Sequence, residues 1–503
     1  MASRKRTEPV QDDLFNPEVE LLLPARLAIE GKALGSPIRQ LAAPPQRVRC
    51  RLRPFSIRRV TGHETTLPSG EILKIINAKT ATSLEAELIL LVPGASEPAQ
   101  IVEALDAGEG RWMAPLPIRI DTLSRQARVE RLAAVSASWS GAFHLREGRA
   151  AENERPAQLG LRRPQIGALH AALAHATRSI DPATIVMPTG TGKTETMLAL
   201  NVHQRFERLL VVVPTDALRE QIAGKFETFG VLRQQQCLED KAAFPVVMRL
   251  SHIPTRLADV DEIFDSANVI VTTMQIAGRA EAAVQERMAA RASALFIDEA
   301  HHIGAPTWAR FRGLFADREP PLPIVQFTAT PFREDGRRVD GEFIYTYPLK
   351  KAQAEGYFKP IRFEAVFGLD QADADLAIAG KLGEVLQGDL DVSLNHLAMA
   401  RCQTIDRARA LHQLYSEMYP ELRPVIVHSQ QSIRERRANL AALRRFESRI
   451  IVCVDMLGEG FDLPELKIAA LHDPHKSIAV TIQFVGRFTR QDPRLGDATV
   501  IAN

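Results

Sequence analysis

From about residue 160 the chain repeats one pattern that leaves few folds open. Short apolar runs rich in β-branched residues alternate with helical stretches. The runs are Ile185-Val186-Met187, Leu209 to Val213, Val269-Ile270-Val271, Leu295-Phe296-Ile297 and Ile324 to Phe327. The pattern pauses near 350–400 and resumes at Val425-Ile426-Val427, Ile450 to Val454, Ile468 to Leu471 and Thr499-Val500-Ile501. Continuous apolar runs of this length suit strands buried on both faces, with crossover helices between them. Two parallel α/β domains in series are expected. In such sheets ligands bind beyond the carboxyl ends of the strands, so chemistry is sought just after each run.

The first run leads into Pro188-Thr189-Gly190-Thr191-Gly192-Lys193-Thr194. Strand, glycine-rich turn, Lys-Thr and helix together make a phosphate cradle. Glycines let backbone N–H groups close around phosphate oxygens, and the helix N-terminus adds positive charge. Gly190, Thr191 and Gly192 would line the cradle. Lys193 would reach the β- and γ-phosphates, and the Thr194 hydroxyl would ligate Mg²⁺. The strict pattern wants glycine where Met187 stands. The fourth run ends in Asp298-Glu299-Ala300-His301-His302. Asp298 suits Mg²⁺, and Glu299 suits the positioning and deprotonation of an attacking water. Adjacent histidines point in different directions and make a poor metal pair. The fifth run is followed by Thr328-Ala329-Thr330, short hydroxyl residues suited to linking the nucleotide site to a neighbouring groove.

The second α/β region carries Gly458 to Pro464 beyond a strand, with Gly460 and Asp462. Gln483, Gly486, Arg487 and Arg490 then stand at i, i+3, i+4 and i+7, one face of a helix. Two fork-shaped cations on one face suit a γ-phosphate. Arg434 to Arg449 holds six arginines against two glutamates, either a solvated basic face or a nucleic-acid contact.

These motifs resemble those of a superfamily 2 helicase or translocase, over residues 161–503. Gly190 to Thr194 resembles motif I, Pro214-Thr215 motif Ia, Val271-Thr272-Thr273 motif Ib and Asp298 to His302 motif II. Thr328 to Thr330 resembles motif III, His428-Ser429 motif IV, Gly458 to Asp462 motif V and Gln483 to Arg490 motif VI. Leu161 to Gln165 resembles the Gln motif, in which Gln165 would read the adenine edge. Asp-Glu-Ala-His-His, Pro331-Phe332-Arg333 and Gly-Glu-Gly-Phe-Asp-Leu-Pro are most similar to the restriction-enzyme-type motor branch, whose members are generally duplex DNA translocases. The resemblance implies two tandem RecA-like parallel-sheet lobes, at 151–355 and 356–503, with ATP and Mg²⁺ between them. Gly460, Asp462 and Gln483 would join the nucleotide site, and Arg487 and Arg490 would act as arginine fingers. His302 would couple motif II to motif III or VI with Thr328 and Thr330. Thr215, Thr273 and Ser429 would hold a nucleic-acid backbone. The implied function is ATP-dependent translocation on nucleic acid, duplex DNA favoured, in restriction or phage defence. An ATPase switch or sensor without unwinding, or an RNA helicase, are the alternatives.

Residues 1–150 read as a small mixed α/β accessory domain without evident chemistry, either partner-docking or DNA-gripping. Arg47, Arg49, Arg51 and Arg53 alternate with Val48, Cys50 and Leu52. That period places the arginines on one strand face, either an aggregation-blocking edge or a phosphate-tracking surface. Net charge is +2, from 63 basic and 61 acidic residues, so local patches must decide the partner. The four cysteines lack zinc-type spacing and read as reduced thiols. No apolar run approaches the roughly 20 residues of a membrane span, and no secretory signal opens the chain; a cytoplasmic protein is expected. The chain stops in the strand-like run at Thr499, and continuation past Asn503 into a nuclease or specificity domain, or a separate partner of that kind, is expected.

Overall fold

The computed structural model describes residues 18–57, 60–77, 88–149, 157–301, 306–333, 336–357, 361–454, 463–473 and 496–503. The first lobe is built on a ten-stranded sheet. Its strands are β1 (Arg26–Ala33), β2 (Ser36–Ala43), β3 (Ile118–Arg119), β4 (Ala183–Val186), β5 (Leu209–Val213), β6 (Val247–Leu250), β7 (Val269–Thr273), β8 (Ala294–Ile297), β9 (Ile324–Thr328) and β10 (Glu342–Thr346). Their spatial order is β3-β1-β2-β6-β7-β5-β8-β9-β4-β10. From β6 to β10 every pairing is parallel.

The periodicity explains the layers. In β5 all five side chains are fully buried. Leu209, Val211 and Val213 pack into the core on one face; Leu210 and Val212 pack into the core on the other. Each such side chain contributes about 2 kcal/mol of burial. The helices that cover these faces include α1 (Arg125–Ser138), α2 (Arg163–Arg178), α3 (Lys193–Gln204), α4 (Asp216–Thr228) and α5 (Leu257–Ser266).

The second lobe is a six-stranded, all-parallel sheet. It comprises β11 (Ile361–Ala365), β12 (Leu397–Cys402), β13 (Val425–Val427), β14 (Ile450–Val454), β15 (Leu466–Leu471) and β16 (Ala498–Ala502), in the order β11-β16-β15-β12-β14-β13. Helices α6 (Gln371–Asp391), α7 (Ile405–Met418) and α8 (Ile433–Arg444) belong to it. Two tandem RecA-like α/β lobes are therefore present. Among the described residues no helix is long and apolar enough to cross a membrane, and all four cysteines are free and buried.

The N-terminal region divides between two places. Residues 53–114 hold a five-stranded mixed sheet, and Glu18–Leu23 pairs antiparallel with Gln46–Arg51. Strands β1, β2 and β3 instead extend the sheet of the first lobe. The junction is an antiparallel pairing of Ile38 with Met248 and Arg39 with Val247. Helix α1 is capped by Ser124, which accepts from the Ala127 N–H. It carries Leu132 into the same core as Val246 and Phe264. The Trp139 indole then donates to the Ala243 carbonyl at 2.9 Å. Sheet and core thus run across residue 150. The four arginines at 47, 49, 51 and 53 are all exposed, but only the first three share a strand, Gln46–Arg51; Arg53 opens the next strand, in the five-stranded sheet. Arg47 is within ion-pair reach of Glu20 and Asp106, and Arg49 of Glu20.

Candidate nucleotide site and motor motifs

Strand order brings three motifs together. β9 lies between β4 and β8, so the glycine-rich loop, the Thr328 segment and the Asp298-Glu299 pair leave the carboxyl ends of three neighbouring strands. The pairing continues past each strand end. Met187 N–H donates to the Thr328 carbonyl at 2.9 Å, and Asp298 N–H donates to the Val212 carbonyl at 2.9 Å.

After β4 the chain turns at Pro188. The Thr191 hydroxyl donates to the Pro188 carbonyl at 2.7 Å and closes the loop. Gly190 and Gly192 take φ of +88° and +99°, a region that side chains with a Cβ rarely adopt. Met187, which departs from the strict pattern, is fully buried in the core with Met197 and Leu198. Its side chain packs beneath α3.

Gln165 sits on this loop. Its Oε1 accepts from the Arg162 N–H at 2.7 Å, capping α2. Its amide nitrogen lies against Gly192, where a Cβ would come within 1.9 Å of it. The Arg162 guanidinium donates to the Gly190 carbonyl at 3.1 Å. The start of α2 is thereby fastened to the phosphate-cradle loop.

Lys193 opens α3, and its Nζ donates to Glu299 Oε1 at 2.6 Å. Both residues are more than nine-tenths buried. Glu299 takes φ of +48°, a left-handed conformation that costs a non-glycine residue on the order of 1 kcal/mol or more. This bend directly after Asp298 lets consecutive carboxylates leave the strand end in different directions. Asp298 is buried, and Thr194 is half-buried in the first turn of α3. Thr194 and Asp298 offer hard oxygen ligands only, and the glycine turn leaves room for phosphate oxygens. That donor set fits Mg²⁺, which takes one or two protein ligands and completes its shell with water and phosphate. Among the described residues no group of three or more His, Cys, Asp and Glu is placed to hold a metal by itself.

The next contact was not legible in advance. His301 Nδ1 lies 3.3 Å from Thr328 Oγ1 and 3.5 Å from Glu299 Oε2. The Thr328 hydroxyl donates to the Thr330 carbonyl at 2.9 Å, and the Thr330 hydroxyl donates to the Phe332 carbonyl at 3.0 Å. His301 therefore joins the acidic pair to the hydroxyl segment. Nothing in the sequence marks His301 for this contact. His302, named for that role from sequence, lies outside the described residues. So do Gly460, Asp462, Gln483, Arg487 and Arg490.

Thr215 lies just beyond β5 and Thr273 is the last residue of β7, both at the carboxyl end of the same sheet. Thr215 is exposed and caps α4, accepting from the Leu218 N–H at 3.3 Å. Thr273 is buried, so its side chain is not on the surface. Ser429 is exposed beyond β13 in the other lobe.

Beyond β15 the second lobe holds a buried polar cluster that sequence reasoning missed. Asp375, on α6, lies 2.7 Å from His472 Nδ1 and accepts two bonds from the Arg407 guanidinium, at 2.6 and 2.9 Å. His472 Nε2 lies 2.8 Å from the Tyr415 hydroxyl. Asp473 Oδ2 accepts from the Gln403 N–H at 2.8 Å. Burial alone would raise the Asp375 carboxyl, but the hydrogen bonds from His472 and Arg407 outweigh it and hold it at about 2. Burial pushes the Tyr415 phenol well above its ordinary value. An ionised Asp375 makes His472 Nδ1 the donor; in the neutral ring Nε2 then accepts from Tyr415. The cluster anchors residues 472–473, immediately before the segment that leads to Gln483.

The chain is 24% identical over 217 residues to a 51.5 kDa protein of a Lactococcus phage, covering 40% of this chain and 46% of that protein. It is 23% identical over 431 residues to the type I restriction enzyme EcoKI endonuclease subunit of Escherichia coli, covering 69% of this chain and 34% of that subunit. The chain thus spans about a third to a half of the length of these relatives. A fragment structure from Vibrio vulnificus, proposed as the HsdR subunit of a type I restriction enzyme, overlays with a TM-score of 0.46 at 15% identity, covering 96% of this chain and 87% of that one. Residues 158–333 match the family model for the type III restriction enzyme res subunit, and residues 381–492 match that for the helicase conserved C-terminal domain. Together these two matches cover more than half of the chain, one on each lobe and over the strand-end motifs, and the chain belongs to the superfamily 2 helicases, in their restriction-enzyme-type branch.

Proposed function

We propose that this chain is an ATP-hydrolysing motor that translocates on duplex DNA in restriction or phage defence. The observation that carries the reading is the buried contact between Lys193 and Glu299, beyond the ends of β4 and β8, the two strands that flank β9. The two residues that phosphate transfer to water needs are already within reach of one another. The β- and γ-phosphates of ATP would draw Lys193 away from Glu299. Glu299 would then be released to orient the attacking water and take its proton. Thr194 and Asp298 would hold Mg²⁺, which when bound neutralises charge on the phosphates. Gly190, Thr191 and Gly192 would close on the phosphates, and Gln165 would bring the base end of the nucleotide to the start of α2. Gly460, Asp462, Gln483, Arg487 and Arg490 of the second lobe would complete the site, the arginines stabilising charge on the γ-phosphate. His301, Thr328 and Thr330, with His302, would report the state of the phosphates to the nucleic-acid side.

The reading keeps lobes at 151–355 and 356–503 and residues 1–150 as an accessory unit, of which β1, β2, β3 and α1 are shared with the sheet and core of the first lobe. Thr215, Thr273 and Ser429 lie at strand ends, where backbone N–H and hydroxyl groups suit phosphates without reading sequence; for the buried Thr273 the contact would come from the main chain. Duplex DNA is favoured because relatives of this chain include a type I restriction endonuclease subunit. A nuclease or specificity subunit would be the working partner, in the cytoplasm.

Steady-state ATP hydrolysis tests the reading, with no polymer, single-stranded DNA, duplex DNA or RNA added. Strongest stimulation by duplex DNA is expected. Stimulation by RNA alone would replace the DNA assignment, and absence of both hydrolysis and Lys193-dependent ATP binding would remove the motor.

A further inference from the structure

Glu195 follows Thr194 and is the third residue of α3, with Gly192 at the capping position. A glutamate at that place ordinarily turns back and accepts from the N–H of the capping residue. Here that N–H belongs to the phosphate cradle. The positive end of the helix draws a carboxylate in the same direction. Left to itself, Glu195 would compete with a nucleotide for the groups that take phosphate oxygens.

The structure turns it elsewhere. Glu195 is nine-tenths buried, and its Oε1 accepts from Lys225 Nζ at 2.6 Å. Lys225 lies in the last turn of α4. That helix is itself held in place. Arg249 of β6 donates to Glu227 Oε2 at 3.0 Å and pairs with Glu220 at 3.0 Å, and both Arg249 and Glu227 are buried. Just after α4 the chain presses on α3. A Cβ on Gly230 would lie 2.9 Å from the Leu198 side chain and 4.0 Å from Glu195 Oε1. Lys225 is therefore fixed relative to the first turn of α3. With Glu195 this buried, the pair is unlike solvated surface pairs, which contribute little, and losing the lysine would strand a carboxylate.

We propose that Lys225 is a positioning residue for the nucleotide site. It draws Glu195 toward α4, cancels its charge and keeps the cradle open to a polyphosphate. This rests on the nucleotide reading above and adds to it a group that acts on the cradle from another helix.

The test is titration of the full chain with fluorescent ATP and ADP analogues, with thermal melting recorded beside it. Lys225→Met breaks the pair and keeps the volume. It is expected to bind ATP about tenfold more weakly and to lose less for ADP, which carries less negative charge. Lys225→Gln, the milder change, should fall between it and the parent. Lys225→Arg keeps the cation and should bind as the parent does. Glu195→Met/Lys225→Met replaces both members by apolar groups, a change often neutral for a buried pair. It should return to within about twofold of the parent, since no carboxylate is left to compete. A pair that only supports the fold would lower the thermal midpoint and affect ATP and ADP alike. Equal losses for the two nucleotides, or a double variant as weak as Lys225→Met, would therefore overturn the role. So would parental ATP binding in Lys225→Met where Lys193→Ala abolishes it. Absence of Lys193-dependent ATP binding in the parent would instead remove the nucleotide reading, and this role with it.

Discussion

Lys193 and Glu299 are 106 residues apart in sequence and meet at 2.6 Å in a buried contact. Each shields the other's charge, and each is needed elsewhere when a nucleotide arrives. Glu299→Gln keeps the shape and loses the base. It should bind ATP normally and hydrolyse it about 10²- to 10⁴-fold more slowly, the usual weight of a general base. Lys193→Ala should lose ATP binding as well. It should also be less stable than Lys193→Ala/Glu299→Gln, because only the single variant leaves the carboxylate without its lysine. Nucleotide titration, turnover and thermal melting of the three proteins decide this. Normal turnover in Glu299→Gln would remove the residue from the chemistry.

The contact of Gln165 with Gly192 makes a steric prediction. Gly192→Ala introduces a Cβ 1.9 Å from the Gln165 amide nitrogen at a φ of +99°. Strain of about 1–3 kcal/mol and at least tenfold weaker ATP binding are expected. Gly192→Ala/Gln165→Ala removes the clash but not the backbone strain, so recovery should be partial. Full recovery in the double variant would show that φ at 192 is unimportant.

The contact between His301 and Thr328 concerns coupling. Thr328→Val keeps the volume and deletes the hydroxyl shared by His301 and the Thr330 carbonyl. ATP hydrolysis without nucleic acid should change by only a few fold. Its stimulation by nucleic acid, and strand or triplex displacement, should fall about tenfold or more, the weight of one buried hydrogen-bond network of 1–2 kcal/mol. Parallel loss of basal and stimulated turnover would instead place Thr328 in the hydrolytic site.

The buried cluster in the second lobe predicts acid sensitivity. Asp375 titrates at about 2 in the fold and near 3.9 unfolded. A lowered carboxyl stabilises the fold fully above the unfolded value. That contribution is lost as pH falls from about 4 toward 2. Asp375→Asn should therefore show a flatter fall of stability with acid in that window. Asp375→Ala, which strips His472 and Arg407 of their acceptor, should cost roughly 3 kcal/mol at neutral pH. Denaturant melts across pH check both; an unchanged acid slope in Asp375→Asn would remove Asp375 as its source.

The sequence by itself determined the lobes' internal architecture and the chemistry at the end of each strand. Runs such as Leu209 to Val213 have no polar face, so they can only be strands buried on both sides. Gly190, Gly192 and Lys193 follow such a run at the spacing a phosphate cradle needs. Those signals are local, and a one-dimensional chain displays them fully. What only the tertiary structure decided depends on which strands become neighbours. Nothing within residues 26–43 says that β1 and β2 will extend the first lobe's sheet, because an edge accepts any strand of suitable register. Nothing in Asp298 to His302 says that His301 meets Thr328, because that follows from β9 lying beside β8. The cluster of Asp375, Arg407, Tyr415 and His472 joins residues up to 97 positions apart, each unremarkable alone. Burial and pairing made them a unit, and pairing is settled only when the chain has folded.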